Sequence, residues 1–174
     1  CQHKESIYKN LLLANSNYNA SGKLILQPAG VVVAYFSFSS PITTFVSYMS
    51  SIIISGCSVV FFVPTQNILF GSIIAHFDEA VNFHTGSFNV VFGDFEYFRH
   101  TLLDRRVSAV MFTGSKEHCE KIQRTSTKSY NRRLILQSGG KNSAIVHSSA
   151  NIDLAVKGIV LGVVKSAGQL CSST

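Results

Sequence analysis

The chain has 174 residues, 15 lysines and arginines against nine acidic residues, a formal charge of +6 and 46% hydrophobic composition. That length lets one α/β domain bury about two thirds of the surface its unfolded form exposes. The cysteines Cys1, Cys57, Cys119 and Cys171 form no Cys-x-x-Cys pair and are too scattered for a secreted disulfide framework, so no metal site is expected and a reducing compartment is favoured.

The basic surplus gathers around Arg124, Lys128, Arg132 and Arg133. No recognition module with interleaved aromatics accompanies it, so the reading is a solvated helix surface and the turn after it, with no nucleic-acid partner. From Leu24 to Phe77 there is no charged residue at all, and Ile42 to Val63 is long enough to span a bilayer. Against a span stand Thr43, Thr44, Ser47, Ser50, Ser51, Ser55 and Ser58, with Gly56 inside the stretch and Pro41 and Pro64 at its edges. Parallel strands covered on both faces leave the same apolar record, and no membrane association is expected. The first residues are polar, no signal peptide is recognisable, and Cys1 in place of Met reads as a chain beginning within a longer gene.

Val31 to Phe36 reads as a strand entering a helix from Ile42 to Ser55, with Pro41 in its first turn and Gly56 as its stop. Ser58 to Val63 is a second buried strand, halted by Pro64. Asn67 to Asn82 is a longer helix whose Leu69, Ile73, Ile74, Phe77 and Val81 recur at helical spacing. Asn89 to Phe92 makes a third strand, Tyr97 to Asp104 a helix, and Val107 to Phe112 a fourth strand. Ser115 is placed to cap a helix from Lys116 to Ser126. Leu134 to Leu136 starts a fifth strand, Ala144 to His147 a sixth, and Asp153 to Lys165 is the last helix. This alternation predicts an α/β fold: a Rossmann-like parallel sheet with helices on both faces.

Three motifs follow in fixed order: Phe112-Thr113-Gly114-Ser115, then Gln137-Ser138-Gly139-Gly140-Lys141, then Gly168-Gln169-Leu170-Cys171. Together they resemble the aldehyde dehydrogenase superfamily over nearly the whole chain, from about Leu24 to Ser173. The resemblance implies NAD or NADP as cofactor, a small-molecule aldehyde as substrate, and Cys171 as a nucleophile that must react as thiolate. It also implies that Ser115 and Gly114 receive the diphosphate at a helix N-terminus, with Phe112, Ser37 and Phe38 beside the cofactor. Gly86 and Gly93 are similar to a family turn near it.

Four positions depart from the family pattern. Ser39 stands where the family has an oxyanion-holding asparagine, and Gln137 where it has a glutamate general base. Phe62 takes the place of a ribose-binding lysine, and Thr65 that of a glutamate. Gln137 cannot take up a proton, a departure shared with coenzyme A-acylating members of the family. The run Ser166 to Ser173, with Ile145 to Ala150, is most similar to the semialdehyde-oxidising branch, which includes glutamate and succinylglutamate semialdehyde dehydrogenases.

The resemblance divides the chain into a lead-in (1–23), a dinucleotide-binding domain (24–165) and the start of a truncated catalytic domain (166–174). The resemblance implies a longer full-length protein that forms homodimers or homotetramers, and the expected location is cytoplasmic, or the mitochondrial matrix if the source is eukaryotic. An enzyme segment inert by itself is one expectation. A catalytically degenerate relative with a binding or structural role is the other.

Overall fold

A computed structural model describes residues 27–127 and 132–173. The lead-in 1–23, Leu24, Cys1 and Lys128 lie outside the described residues. Five parallel strands form one sheet in the order β3-β2-β1-β4-β5, with β1 Val31–Tyr35, β2 Ser58–Val63, β3 Phe88–Phe92, β4 Val107–Gly114 and β5 Arg133–Ser138. The order reverses between β1 and β4, and every crossover is helical: α1 Pro41–Ile54, α2 Ile68–Val81, α3 Phe95–Thr101 and α4 Lys116–Ser126.

Each strand's period of two splits its residues between two cores. Val32, Ala34, Val59, Phe61 and Met111 face α1 and α2, where Phe45, Met49 and Ile52 close the layer. Val33, Phe62, Val110 and Phe112 face α3 and α4, meeting Phe98, Leu102, Cys119 and Ile122. Both faces are covered, which explains why the sequence of β1 and β2 shows no polar alternation.

The helix ends follow their caps. Pro41 occupies the first turn of α1, and Gly56, at φ 71°, takes the left-handed position after it. Helix α3 starts at Phe95, two residues before the expected Tyr97, because the Asp94 carboxylate accepts from the Glu96 and Tyr97 N–H groups. Ser115 caps α4 as expected, its Oγ accepting from the His118 N–H at 3.2 Å.

Two further expectations are corrected. The stretch Ala144 to His147 is not a strand: β5 ends the sheet, and Gly140 (φ 150°) and Lys141 (φ 66°) turn the chain away from that edge, leaving Ile145 94% exposed. Arg132 does not belong to a solvated patch, because its guanidinium donates to the carbonyls of Leu102, Asp104 (2.6 Å) and Val107 (3.0 Å). The Ile42 to Val63 stretch divides, as its proline and glycine positions predicted, into α1, a turn and β2; among the described residues no helix is long and apolar enough to cross a membrane. The last helix, α5 Ile152–Val164, is capped by Asn151 and has no buried residue.

Candidate functional site

Parallel sheets of this order open a crevice at the carboxyl ends of the strands, where the strand order reverses. At that edge β1 delivers Ser37, Phe38 and Ser39. The Ser37 and Ser39 hydroxyls lie 2.7 Å apart, and the Ser39 N–H donates to Ser37 Oγ at 3.1 Å. Phe38 is exposed.

Strand β4 delivers Thr113 and Gly114. A Cβ on Gly114 would sit 2.5 Å from the Phe112 ring, so only glycine fits the turn. Behind it, Ser115 uses its hydroxyl to cap α4, and the first-turn N–H groups of Lys116 and Glu117 have no acceptor within the helix. That arrangement suits a diphosphate. The adenosine end fits less well. Phe62 is 3% exposed, its ring packed edge-on against Phe98 at 5.4 Å between centroids, so its side chain faces the core and offers the crevice no donor. Phe112 is buried likewise, packed into the same core. Thr65 is exposed in the 3-10 turn Thr65–Asn67, after the Pro64 that halts β2. Gly86, at φ 80°, sits at the opposite end of β3 in the turn before Phe88, whereas Gly93 follows the end of β3 and packs beside Tyr97.

One strand over, β5 presents Gln137, whose Oε1 accepts from the Thr113 hydroxyl at 3.3 Å. Cys171 is exposed, and its segment is held by Asn142, whose side-chain amide donates to the carbonyls of Cys171 (2.8 Å) and Ser173 (3.1 Å). Asn142 lies just after Lys141, so the loop leaving β5 tethers the cysteine segment. Between α5 and Cys171 the chain reverses through Ser166 (φ 52°), Ala167 (φ 54°) and Gly168 (φ 70°).

Sequence reasoning passed over Asn142 and Tyr48. Tyr48 belongs to the buried stripe of α1 with Phe45, Met49 and Ile52, and its phenol is hydrogen-bonded to Thr113. The usable signal was the hydroxyl itself: a tyrosine in an apolar stripe needs a polar partner. Burial raises the Tyr48 pKa, and Thr113 only partly opposes that.

His118, in the first turn of α4, stacks on Phe95 with centroids 3.8 Å apart and planes 13° from parallel, bridging α4 to α3. Burial, followed by Lys121, lowers its pKa, against smaller opposing effects of Glu117 and Glu96. The unfolded chain therefore takes up this proton first as the pH falls. The neutral ring's contribution is complete above the ordinary histidine value of 6.5 and is lost as the pH drops through the lower folded value. Denaturation midpoints measured between about pH 7 and about pH 5 should fall more steeply for the parent than for His118→Phe, which keeps a stacking ring that cannot titrate. Parallel slopes would refute the assignment.

A profile of the aldehyde dehydrogenase family matches residues 2–174. The chain is 32% identical over 148 residues to an NADP-dependent glyceraldehyde-3-phosphate dehydrogenase of Streptococcus equinus, covering 84% of this chain and 30% of that protein. Among solved structures, an NAD-dependent aldehyde dehydrogenase from Sinorhizobium meliloti is 31% identical with a TM-score of 0.78, over 84% of this chain and 29% of the other. A Mycobacterium tuberculosis aldehyde dehydrogenase complexed with NAD+ is 25% identical with a TM-score of 0.77, over 83% and 30% respectively. The chain thus spans less than a third of the length of each of these.

Proposed function

Because the chain belongs to the aldehyde dehydrogenase family, we propose that it forms the dinucleotide-binding core of an enzyme that oxidises a small aldehyde with NAD or NADP. The supporting observation is a convergence at one sheet edge: the Gly114–Ser115 turn, Gln137 bonded to Thr113 of that same turn, and the Cys171 segment tethered through Asn142 to the loop leaving β5. In this reading residues 24–165 bind the dinucleotide, and 166–174, beyond the reversal at Ser166 and Ala167, begin the catalytic portion. The substrate we favour is a semialdehyde, and the assembly a homodimer or homotetramer.

The nicotinamide, when bound, accepts the hydride that the aldehyde carbon gives up. Cys171, as thiolate, forms the carbon–sulfur bond, and the carbonyl electron pair moves onto oxygen as the oxyanion. The Cys171 N–H and the short Ser39 hydroxyl are the donors for that charge. Loss of hydride leaves a thioester on Cys171, which water converts to the acid and the free thiol. The balance is aldehyde, oxidised cofactor and water giving acid, reduced cofactor and a proton. Gln137 cannot take the proton from that water.

A second reading is a degenerate relative that retains binding. It is favoured by Phe62, buried in the core where a ribose donor would stand, and by the Ser39 hydroxyl already engaged with Ser37. Calorimetric titration of NADH and NADPH into the 174-residue chain should give saturable heat that Gly114→Val abolishes, since a larger side chain meets the Phe112 ring. In a chain extended to the length of its relatives, aldehyde-dependent formation of reduced nicotinamide should vanish in Cys171→Ala. Absence of binding to either cofactor sinks both readings, whereas binding without turnover on any aldehyde leaves the second.

A further inference from the structure

Tyr48, Thr113 and Gln137 are joined across three elements, from α1 through β4 to β5. The chemistry of the groups gives that chain one direction. Gln137 Oε1 can only accept, so the Thr113 hydroxyl spends its single hydrogen on it. The Thr113 oxygen is then left with lone pairs alone, and the Tyr48 phenol must be the donor to it. A threonine accepting one bond while donating another is polarised along the line, and a buried tyrosine on a packed helix fixes where the line begins.

The consequence falls at the open end. With its oxygen held by Thr113, Gln137 has its amide nitrogen as the remaining polar atom, and among the described residues no hydrogen bond engages that nitrogen. A glutamate held the same way would turn an acceptor outward. A glutamine turns out two N–H donors.

We propose that Tyr48 and Thr113 are positioning residues that lock the Gln137 amide with its N–H groups outward, making position 137 a binding donor for a small carboxylate. This deepens the reading of the edge as an acyl-handling site, since a carboxylate is the oxidised form of an aldehyde, and it rests on that reading for its ligand. The first member of the line lies 65 positions from Thr113 in sequence, and its hydrogen bond to the Thr113 hydroxyl links it to the edge. Tyr48 stays a phenol, and a donor, well into the alkaline range because burial raises its pKa.

The test is nuclear magnetic resonance of the 15N-labelled chain titrated with sodium acetate, following the Gln137 side-chain amide, identified by its loss in Gln137→Glu. The parent should show a saturable acetate shift at that amide. Tyr48→Phe keeps the ring and removes the donor, and should weaken acetate binding about fivefold, the loss of one neutral hydrogen bond. Thr113→Val should weaken it at least as much, and Thr113→Ser, which keeps the hydroxyl, should restore it. In Gln137→Glu, the acetate-induced shifts of the neighbouring Ser138 and Thr113 backbone amides should disappear. A purely structural Tyr48 would leave acetate binding unmoved while changing stability.

Acetate binding unchanged in Tyr48→Phe and Thr113→Val overturns the proposal, as does an acetate response that survives in Gln137→Glu. NADH titrated in a parallel sample reports on the Gly114 to Lys116 backbone amides. A lost NADH response with the acetate response intact counts against the cofactor reading alone; the reverse counts against this inference alone.

Discussion

Phe98→Ala is expected to remove about 3–5 kcal/mol of folding stability, read from the shift of the urea midpoint at unchanged slope. Phe98 lies on α3 with no exposure and occupies the middle of an aromatic group. Its ring stands 5.2 Å from Tyr35, 5.4 Å from Phe62 and 5.9 Å from Phe112, so one residue joins β1, β2 and β4 to the helix layer on that face. Truncation opens a cavity that three strand residues border, and none can fill it without leaving its rotamer. Against a typical domain stability of about 5–15 kcal/mol the loss is large enough to cross the threshold for folding at body temperature. Phe98→Leu, which retains much of the volume, should cost well under half as much. The effect extends to function because Phe112 immediately precedes Thr113 and Gly114. If the midpoint of Phe98→Ala falls within about 0.5 kcal/mol of the parent, this aromatic group is not the core of the α3–α4 face.

How far the fold was legible follows from what kind of signal each element carries. Strand β2 and helix α4 have the bounds read from the chain, because Pro64 and the Ser115 cap are local chemistry acting on local backbone. Helix α3 begins ahead of its hydrophobic spacing because the Asp94 carboxylate, not the apolar pattern, sets the first turn. Ala144 to His147 carries the composition of a strand but had no partner, and pairing is a property of the sheet, not of the segment. The site divides the same way. Ser115 and Gly114 announce themselves by turn chemistry. Which way Phe62 points was unreadable, because a strand covered on both faces has no alternation to break the tie. Tyr48 and Thr113 meet across 65 positions of sequence, a contact no local pattern encodes.

Arg132→Ala is expected to cost about 2–4 kcal/mol, since hydrogen bonds from a charged donor are worth about 1.5–3 kcal/mol each and some of the released carbonyls regain water. The guanidinium closes the connection from α3 to β4: it donates to Leu102 at the C-cap of α3, to Asp104 in the following turn and to Val107 at the first residue of β4. A cation at a helix C-terminus is favoured by the helix dipole as well. Burial lowers the Arg132 pKa while the neighbouring Asp104 opposes it, yet a guanidinium stays charged at any working pH. The acceptors are carbonyls, so the stabilisation should be insensitive to salt, unlike that of a surface ion pair such as Lys121 with Glu117. Arg132→Lys should recover only part of the loss, because an ammonium on a flexible stem lacks the planar fork that reaches three diverging oxygens. Arg133, exposed at the start of β5, supplies the control, and Arg133→Ala should shift the urea midpoint by no more than about 0.5 kcal/mol. Equal midpoints for Arg132→Ala and Arg133→Ala would mean that Arg132 is one more solvated charge in the basic surplus, as the sequence alone led one to expect.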